Sequence, residues 1–243
     1  MLQIEGRNSV IEYLKSETQK LSTVYIQMNI QVDAKLKELI DYAKQSQVQI
    51  VEVPKSKLDK MSSTGVHQGV IGVLAKYTFF KLEEMLTNIR NSNRDPFIIV
   101  VRESMYDHNL GAILRTASCV GANGIIISKQ SEISPHVVRS STGATAELPI
   151  CRLDIFSSMK LLSDEGIKIV GIDIFDDSKW YYEADLKGAI ALIIGGEDHP
   201  LTPSIASKCD FTVKIPLLSK INSLNMSVAA GIVMYEKLRQ ELV

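Results

Sequence analysis

From Pro96 onward the chain repeats one pattern: a short apolar run, a helical stretch, and another apolar run. Phe97–Val101 and Ala189–Ile194 are apolar at every position, and Gly124–Ile127 and Ile167–Ile174 are largely so. A strand that is apolar at successive positions has no face to offer to water. It belongs in a sheet covered on both sides. The segments between these runs carry helical spacing. Asp154 is placed to cap a helix to about Glu165, where Gly166 ends it, and Asn225–Gln240 is a long closing helix. Strands separated by helices make a parallel sheet with helices on its faces, an α/β domain.

The first part of the chain alternates on a smaller scale. A short helix is predicted over residues 8–16, and Asp33 is placed to cap a second helix to about Gln45. Thr23–Met28 and Val48–Val53 alternate with strand period, and Val70–Leu74 is a third strand. After these, KLEEMLTNIRNSNRDP holds one short amphipathic helix and then a linker composition. The expected organisation is an N-terminal α/β unit of residues 1–76, a linker of residues 77–95 and a C-terminal domain of residues 96–243.

Composition narrows the function classes. The 243 residues are 45% hydrophobic and 23% charged, with a formal net charge of −1. Bulk charge therefore gives no footprint for nucleic acid, and any RNA site must be a local patch. The cysteines Cys119, Cys151 and Cys209 fit neither a zinc spacing nor a disulfide framework, and no metal is expected. Cys119 lies in an apolar helical run and reads as a buried small hydrophobe. Glu5 and Arg7 stand where a signal peptide needs an apolar core. No apolar run approaches the ~20 residues that span a bilayer. A cytoplasmic location is the expectation.

Ligands of open parallel sheets bind in loops at the carboxyl ends of the strands, and three such loops are chemically unusual. The first, Asp107 to Gly111, places Asn109 at or near a helix cap and Arg115 within the first two turns. Alone it reads more readily as a capped helix with a solvated arginine. The second, Ile194–Gly195–Gly196–Glu197–Asp198–His199–Pro200, sets two glycines after a buried strand. Glycines there allow close backbone approach to a ligand or simply a tight turn. The run is not G-x-G-x-x-G, so a dinucleotide site has no support. The third runs from Ile215 through Leu217, Leu218, Ser223 and Leu224 to Asn225. It is too apolar for an ordinary surface loop. Its backbone groups need partners, which packing or an adenine nucleoside could supply.

Taken together, HNLGAILRTASCVGANGIII (108–127), IIGGEDHPLTP (193–203) and IPLLSKINSLNMSVAAGIVMYE (215–236) resemble, in order and spacing, the three signature motifs of the SpoU/TrmH family of the SPOUT superfamily. GRNSVIEYL (6–14) and HQGVIGVLAKY (67–77) resemble the domain ahead of the catalytic one in the RlmB-like branch, which methylates guanosine 2′-hydroxyls of 23S rRNA. The resemblance implies a small N-terminal α/β RNA-binding domain and a C-terminal parallel-sheet α/β domain with a trefoil knot. It implies an enzyme that passes a methyl group from S-adenosyl-L-methionine to a ribose 2′-hydroxyl of RNA, with rRNA favoured over tRNA. Gly195, Ile215 and Leu224 fall at the family's donor site, with Leu218 nearby, and the catalytic and substrate positions fall on Asn109, Arg115, Glu197, Ser223 and Asn225. A homodimer with its active site near the interface is also implied.

The sequence departs from the family pattern in places. Asp198, His199 and Pro200 follow the glutamate where small residues are common, and Met105–Tyr106 replaces an Asp-Pro type of sequence. The segment VVRSSTGATAE (137–147) carries Arg139. A free guanidinium loses its proton only above about pH 12. Arg115 is therefore expected to bind phosphate and stabilise a developing alkoxide, with His199 the rival proton acceptor. A protein of this fold that binds RNA without chemistry is the other reading. The presence of all five catalytic-type residues argues against it.

Overall fold

The computed structural model describes residues 1–102, 106–196, 200–220 and 223–243. The chain packs as two compact units. One comprises residues 1–78 with residues 132–147, and the other comprises residues 79–131 and 148–243.

In the first unit, β1 (Leu2–Glu5), α1 (Arg7–Lys15), β2 (Leu21–Gln27), α2 (Ala34–Gln45), β3 (Gln49–Val53), α3 (Lys55–Met61) and β4 (Val70–Leu74) follow one another. The sheet order is β1-β4-β2-β3, with β2 and β3 parallel and the other pairs antiparallel. Asp33 caps α2 as the sequence predicts, its carboxylate accepting from the Leu36 N–H at 2.9 Å. Strand β1 was not anticipated. Its four residues LQIE show little periodicity, and it is fixed by pairing with β4, some seventy positions away in sequence (Leu2 opposite Leu74). The Glu5 carboxylate is buried and accepts from the Ser62 and Thr64 hydroxyls and from the Ser63 and Thr64 N–H groups. Burial pushes its pKa up, but those hydrogen bonds outweigh burial and hold it below its ordinary value.

The second unit begins with α4 (Leu82–Asn91), β5 (Phe97–Val101), α5 (Asp107–Cys119) and β6 (Gly124–Ile127). Next come α6 (Pro135–Ser141) and α7 (Ala144–Glu147), which lie within the first unit. There Thr145 accepts from the Tyr13 hydroxyl at 3.1 Å and, through its carbonyl, from the Tyr77 hydroxyl at 2.6 Å. Gly143, at φ +103°, connects the two helices, and a Cβ there would fall 2.8 Å from Glu12 Cγ. The second unit then continues through β7 (Ile150–Arg152), α8 (Ile155–Asp164), β8 (Lys168–Ile172), β9 (Lys179–Trp180), β10 (Ile190–Ile194), α9 (Pro203–Ala206), β11 (Phe211–Lys214) and α10 (Met226–Glu241).

Its strands form one parallel sheet in the order β7-β6-β5-β10-β8-β11-β9. The all-apolar runs are where the reasoning above puts them: every residue of β5, β6 and β10 is buried. Helix α4 lies within residues 77–95, where the sequence leaves the helix free to pack on either domain, and its Leu82, Met85, Leu86 and Ile89 pack into a core with Ile98, Val100, Ile126 and Ile193. Burying side chains of that size stabilises by roughly 1.5–3 kcal/mol each.

Helix α5 buries Leu110, Ile113, Leu114 and Ala117. Cys119 corrects the expectation of a buried thiol. It stands four residues after Arg115, on the same exposed stripe of α5, and both are exposed. The apolar run reached the helix end, but the burial stripe had rotated away from its last position.

Candidate functional site

The carboxyl ends of β8, β10 and β11 open into a cleft of about 390 Å³, a size that suits a nucleoside-sized ligand. Its apolar walls include Ile172, Ile194, Val213, Ile215 and Leu224. Asp173, Lys214, Ser223 and Asn225 contribute polar groups. Gly195 and Gly196 supply backbone without side chains. Ile215, Leu217 and Leu224 of the loop that leads into α10 thus form one wall, which accounts for part of its apolar composition.

Gly195, after β10, lies close against the backbone of Pro200 and Leu201. A Cβ at Gly195 would lie 3.0 Å from the Leu201 nitrogen and 3.3 Å from backbone atoms of Pro200. Backbone cannot rotate aside as a side chain can, so a side chain here would have to push this segment away by a few tenths of an ångström. The Asp173 carboxylate accepts from the Leu201 N–H at 2.7 Å through one oxygen and from the Ile174 N–H at 2.7 Å through the other. Just after β5, Arg102 donates to the Pro200 carbonyl at 2.6 Å. Charge-assisted hydrogen bonds from two sides hold Pro200 and Leu201 in place.

Asn225 is the N-cap of α10. Its side-chain oxygen accepts from the Ser227 N–H at 2.9 Å and from the Ser227 hydroxyl at 2.6 Å. Its amide nitrogen donates to the Asn109 side-chain oxygen at 3.0 Å. Asn109 is 2% exposed and sits within the first turn of α5, whose N-cap is Tyr106. Asn109 is therefore not the cap. It is a buried polar group joined to the start of the last helix. Its burial shows that the polar run at this helix start has an inward-facing member, which a solvated cap would not.

Five of the positions singled out in the sequence line one cleft: Gly195, Ile215, Ser223, Leu224 and Asn225. Asn109 joins them through Asn225. Leu218 is fully exposed and does not line the cleft. Arg115 is exposed on α5 and does not line it either, although α5 packs against α10. Glu197 and His199 lie outside the described residues. Sequence reasoning missed Asp173 and Lys214. The available signal was a lone charged residue at the carboxyl end of each of two strands, the position that faces ligands in parallel sheets. Among the described residues there is no group of three potential metal ligands and no helix long and apolar enough to cross a membrane.

An open parallel sheet with a nucleoside-sized cleft beyond its strand ends, lined in part by Gly195 and Gly196, defines a small-molecule-binding α/β domain. Comparison with known proteins narrows this. Residues 96–235 match the SpoU rRNA Methylase family, and residues 3–80 match a domain described as RNA 2′-O ribose methyltransferase substrate binding. The chain is 37% identical over 238 residues to YacO of Bacillus subtilis (strain 168), a protein assigned to the TrmH family of tRNA/rRNA methyltransferases. The match covers 97% of this chain and 94% of YacO. The SpoU methyltransferase AviRb of Streptomyces viridochromogenes, solved in complex with AdoMet, superposes with a TM-score of 0.82 at 22% identity, over 99% of this chain and 90% of AviRb. An AdoMet-bound rRNA methyltransferase of Sinorhizobium meliloti superposes with a TM-score of 0.80 at 21% identity, over 100% of this chain and 88% of that one. The chain belongs to the SpoU rRNA methylase family.

Proposed function

We propose that this protein transfers the methyl group of S-adenosyl-L-methionine to a ribose 2′-hydroxyl of structured RNA, with rRNA as the favoured substrate. The observation that carries the reading is the cleft, in which Gly195, Ile215 and Leu224 meet Ser223 and Asn225 at the strand ends. The residues present fit the donor. Gly195 and Gly196 bring backbone without side chains to the cleft, the apolar walls suit an adenine ring, and loop backbone at Ile215–Leu217 and Ser223–Leu224 suits its polar edge. AviRb, of the same fold, was solved with AdoMet. Leu218, exposed outside the lining, is the weakest member of the donor-site set.

When bound, the donor supplies an electrophilic methyl group on a good leaving group, so the protein's own task is alignment and proton removal. Positioning alone supplies roughly 7–11 kcal/mol. Asn109 and Asn225 fix the starts of α5 and α10 against each other and hold that geometry. Glu197 and Ser223 complete the substrate side in this proposal. Arg115 binds an RNA phosphate and stabilises the 2′-oxygen as its proton leaves. Its exposure outside the cleft of a single chain favours a homodimer in which a second copy brings Arg115 to the site. The trefoil knot expected of the fold would hold Gly195, Gly196 and the loop before α10 side by side. Residues 1–76 would bind RNA, residues 96–243 would carry the chemistry, and the setting would be the cytoplasm. The name of YacO spans tRNA and rRNA, which keeps tRNA as the alternative substrate.

The test is label transfer from tritiated S-adenosyl-L-methionine to rRNA and to tRNA in parallel, with donor binding measured by calorimetry. Label in rRNA is expected. Label confined to tRNA would overturn the substrate, and donor binding without transfer to either would overturn the chemistry. The same calorimetry checks Gly195. Gly195→Ala is expected to weaken donor binding by about tenfold or more, since a Cβ that meets the Leu201 and Pro200 backbone must displace a wall of the cleft. Unchanged affinity would show that donor binding does not depend on the placement of this segment.

A further inference from the structure

Strand β9 is two residues long and forms the outer edge of the seven-stranded sheet. An exposed edge is normally blunted with charge. Here it presents Trp180 and, two positions on, Tyr182, which are 37% and 49% exposed. Their rings lie 5° from parallel with centroids 6.4 Å apart, and Tyr181 packs edge-on to Tyr182 at 5.2 Å. Solitary exposed apolar residues need no explanation, whereas a stacked pair of rings held open to solvent does.

The pair adjoins the cleft. Lys214 lies opposite Trp180 in the register of β11 and β9, and its ammonium sits 5.0 Å from the Trp180 ring centroid. The same Lys214 lines the cleft, so one residue adjoins both the aromatic rings and the ligand site. Charge does not point to a phosphate at this edge. Exposed Asp176, Asp177 and Glu183 offset Lys179 and Lys214. What the edge offers is flat aromatic surface, which binds the faces of nucleobases with little regard to sequence.

Resting on the reading of the chain as an RNA methyltransferase, we propose that Trp180 and Tyr182 form a stacking shelf for an unpaired base that flanks the target nucleotide. A nucleotide whose ribose enters the cleft must leave its helical stack, and a neighbouring base then loses a stacking partner. The shelf replaces that partner beside the cleft.

Trp180 is the only tryptophan of the chain, so its fluorescence reports this one place. Titration of the full-length protein with single-stranded oligo-A and oligo-U is expected to quench it, and a fully paired RNA duplex is not. Tyr182→Ala is expected to weaken single-strand binding by about five- to a hundred-fold, and Tyr182→Phe to leave it nearly unchanged. Donor binding should be unaffected in both variants. Methylation of RNA by the wild-type protein with flat Trp180 emission would overturn the shelf and leave the methyl-transfer reading standing. Failure to bind or methylate any RNA while the donor binds would overturn that reading and the shelf with it. Emission that shifts with protein concentration without RNA, together with dissociation of Tyr182→Ala in sedimentation, would assign these rings to contact between two copies and overturn the proposal.

Discussion

Arg115→Lys is expected to lower single-turnover methylation by about a hundredfold or more and to leave donor affinity unchanged. Lysine keeps the positive charge and the exposed position on α5. It loses the planar fork that can hold a phosphate oxygen and the 2′-oxygen together. A hundredfold is about 2.7 kcal/mol, within reach of one good bidentate contact. Three outcomes separate three roles. A solvated helix residue would tolerate lysine within about ±0.5 kcal/mol of stability, with no change in rate. A residue that only attracts RNA would show weaker binding and a normal rate at saturation. A residue that aligns the reacting groups would show a slow rate at saturation, and this is the expected result. Because Arg115 lies outside the lining of the cleft, the same assay with a mixture of Arg115→Lys and Gly195→Ala chains is informative. Recovery of activity in mixed dimers is expected if one copy supplies Arg115 to the other.

Asn225→Ala is expected to cost more in turnover than in stability, and the structure sharpens the comparison. The side chain caps α10 through Ser227 and also holds the buried Asn109. Loss of the cap costs ~1 kcal/mol, and loss of the hydrogen bond to Asn109 costs about as much again. For a chain of this size, a melting temperature lower by about 4–8 °C follows. The proposed role in alignment predicts a fall in single-turnover rate of about a hundredfold in protein that is still folded. Asn225→Ser separates the two effects. Serine is a good N-cap but is too short to bridge to Asn109. It should restore most of the melting temperature and little of the rate. A serine variant with both properties restored would reduce Asn225 to a helix cap.

The parts of the fold set by local chemistry were legible in the sequence. The apolar runs of β5 and β10, the Asp33 and Asp154 caps and the Gly166 stop follow from periodicity and capping alone, and each is present. The parts set by distant partners were not. Strands β1, β7 and β9 are two to four residues long and exist because a neighbouring strand completes them. The helix start at Asn109 looked like a cap because polar residues cluster there. Only the position of α10 shows why one of them is buried. The loop before α10 betrayed itself by being too apolar for its place, and it does wall the cleft. Asp173 carried a weaker signal. One carboxylate at a strand end is unremarkable until the Leu201 N–H is seen on it.

Alkaline hydrolysis shows directly whether the methyl group goes to a ribose 2′-hydroxyl. RNA labelled by the protein with tritiated S-adenosyl-L-methionine is hydrolysed in alkali, and the fragments are sorted by length. Alkali cleaves RNA through attack of the 2′-oxygen on the adjacent phosphate, and a methylated 2′-oxygen cannot attack. The label is expected in alkali-resistant dinucleotides. Label recovered in mononucleotides would place the methyl group on a base and contradict transfer to the 2′-hydroxyl.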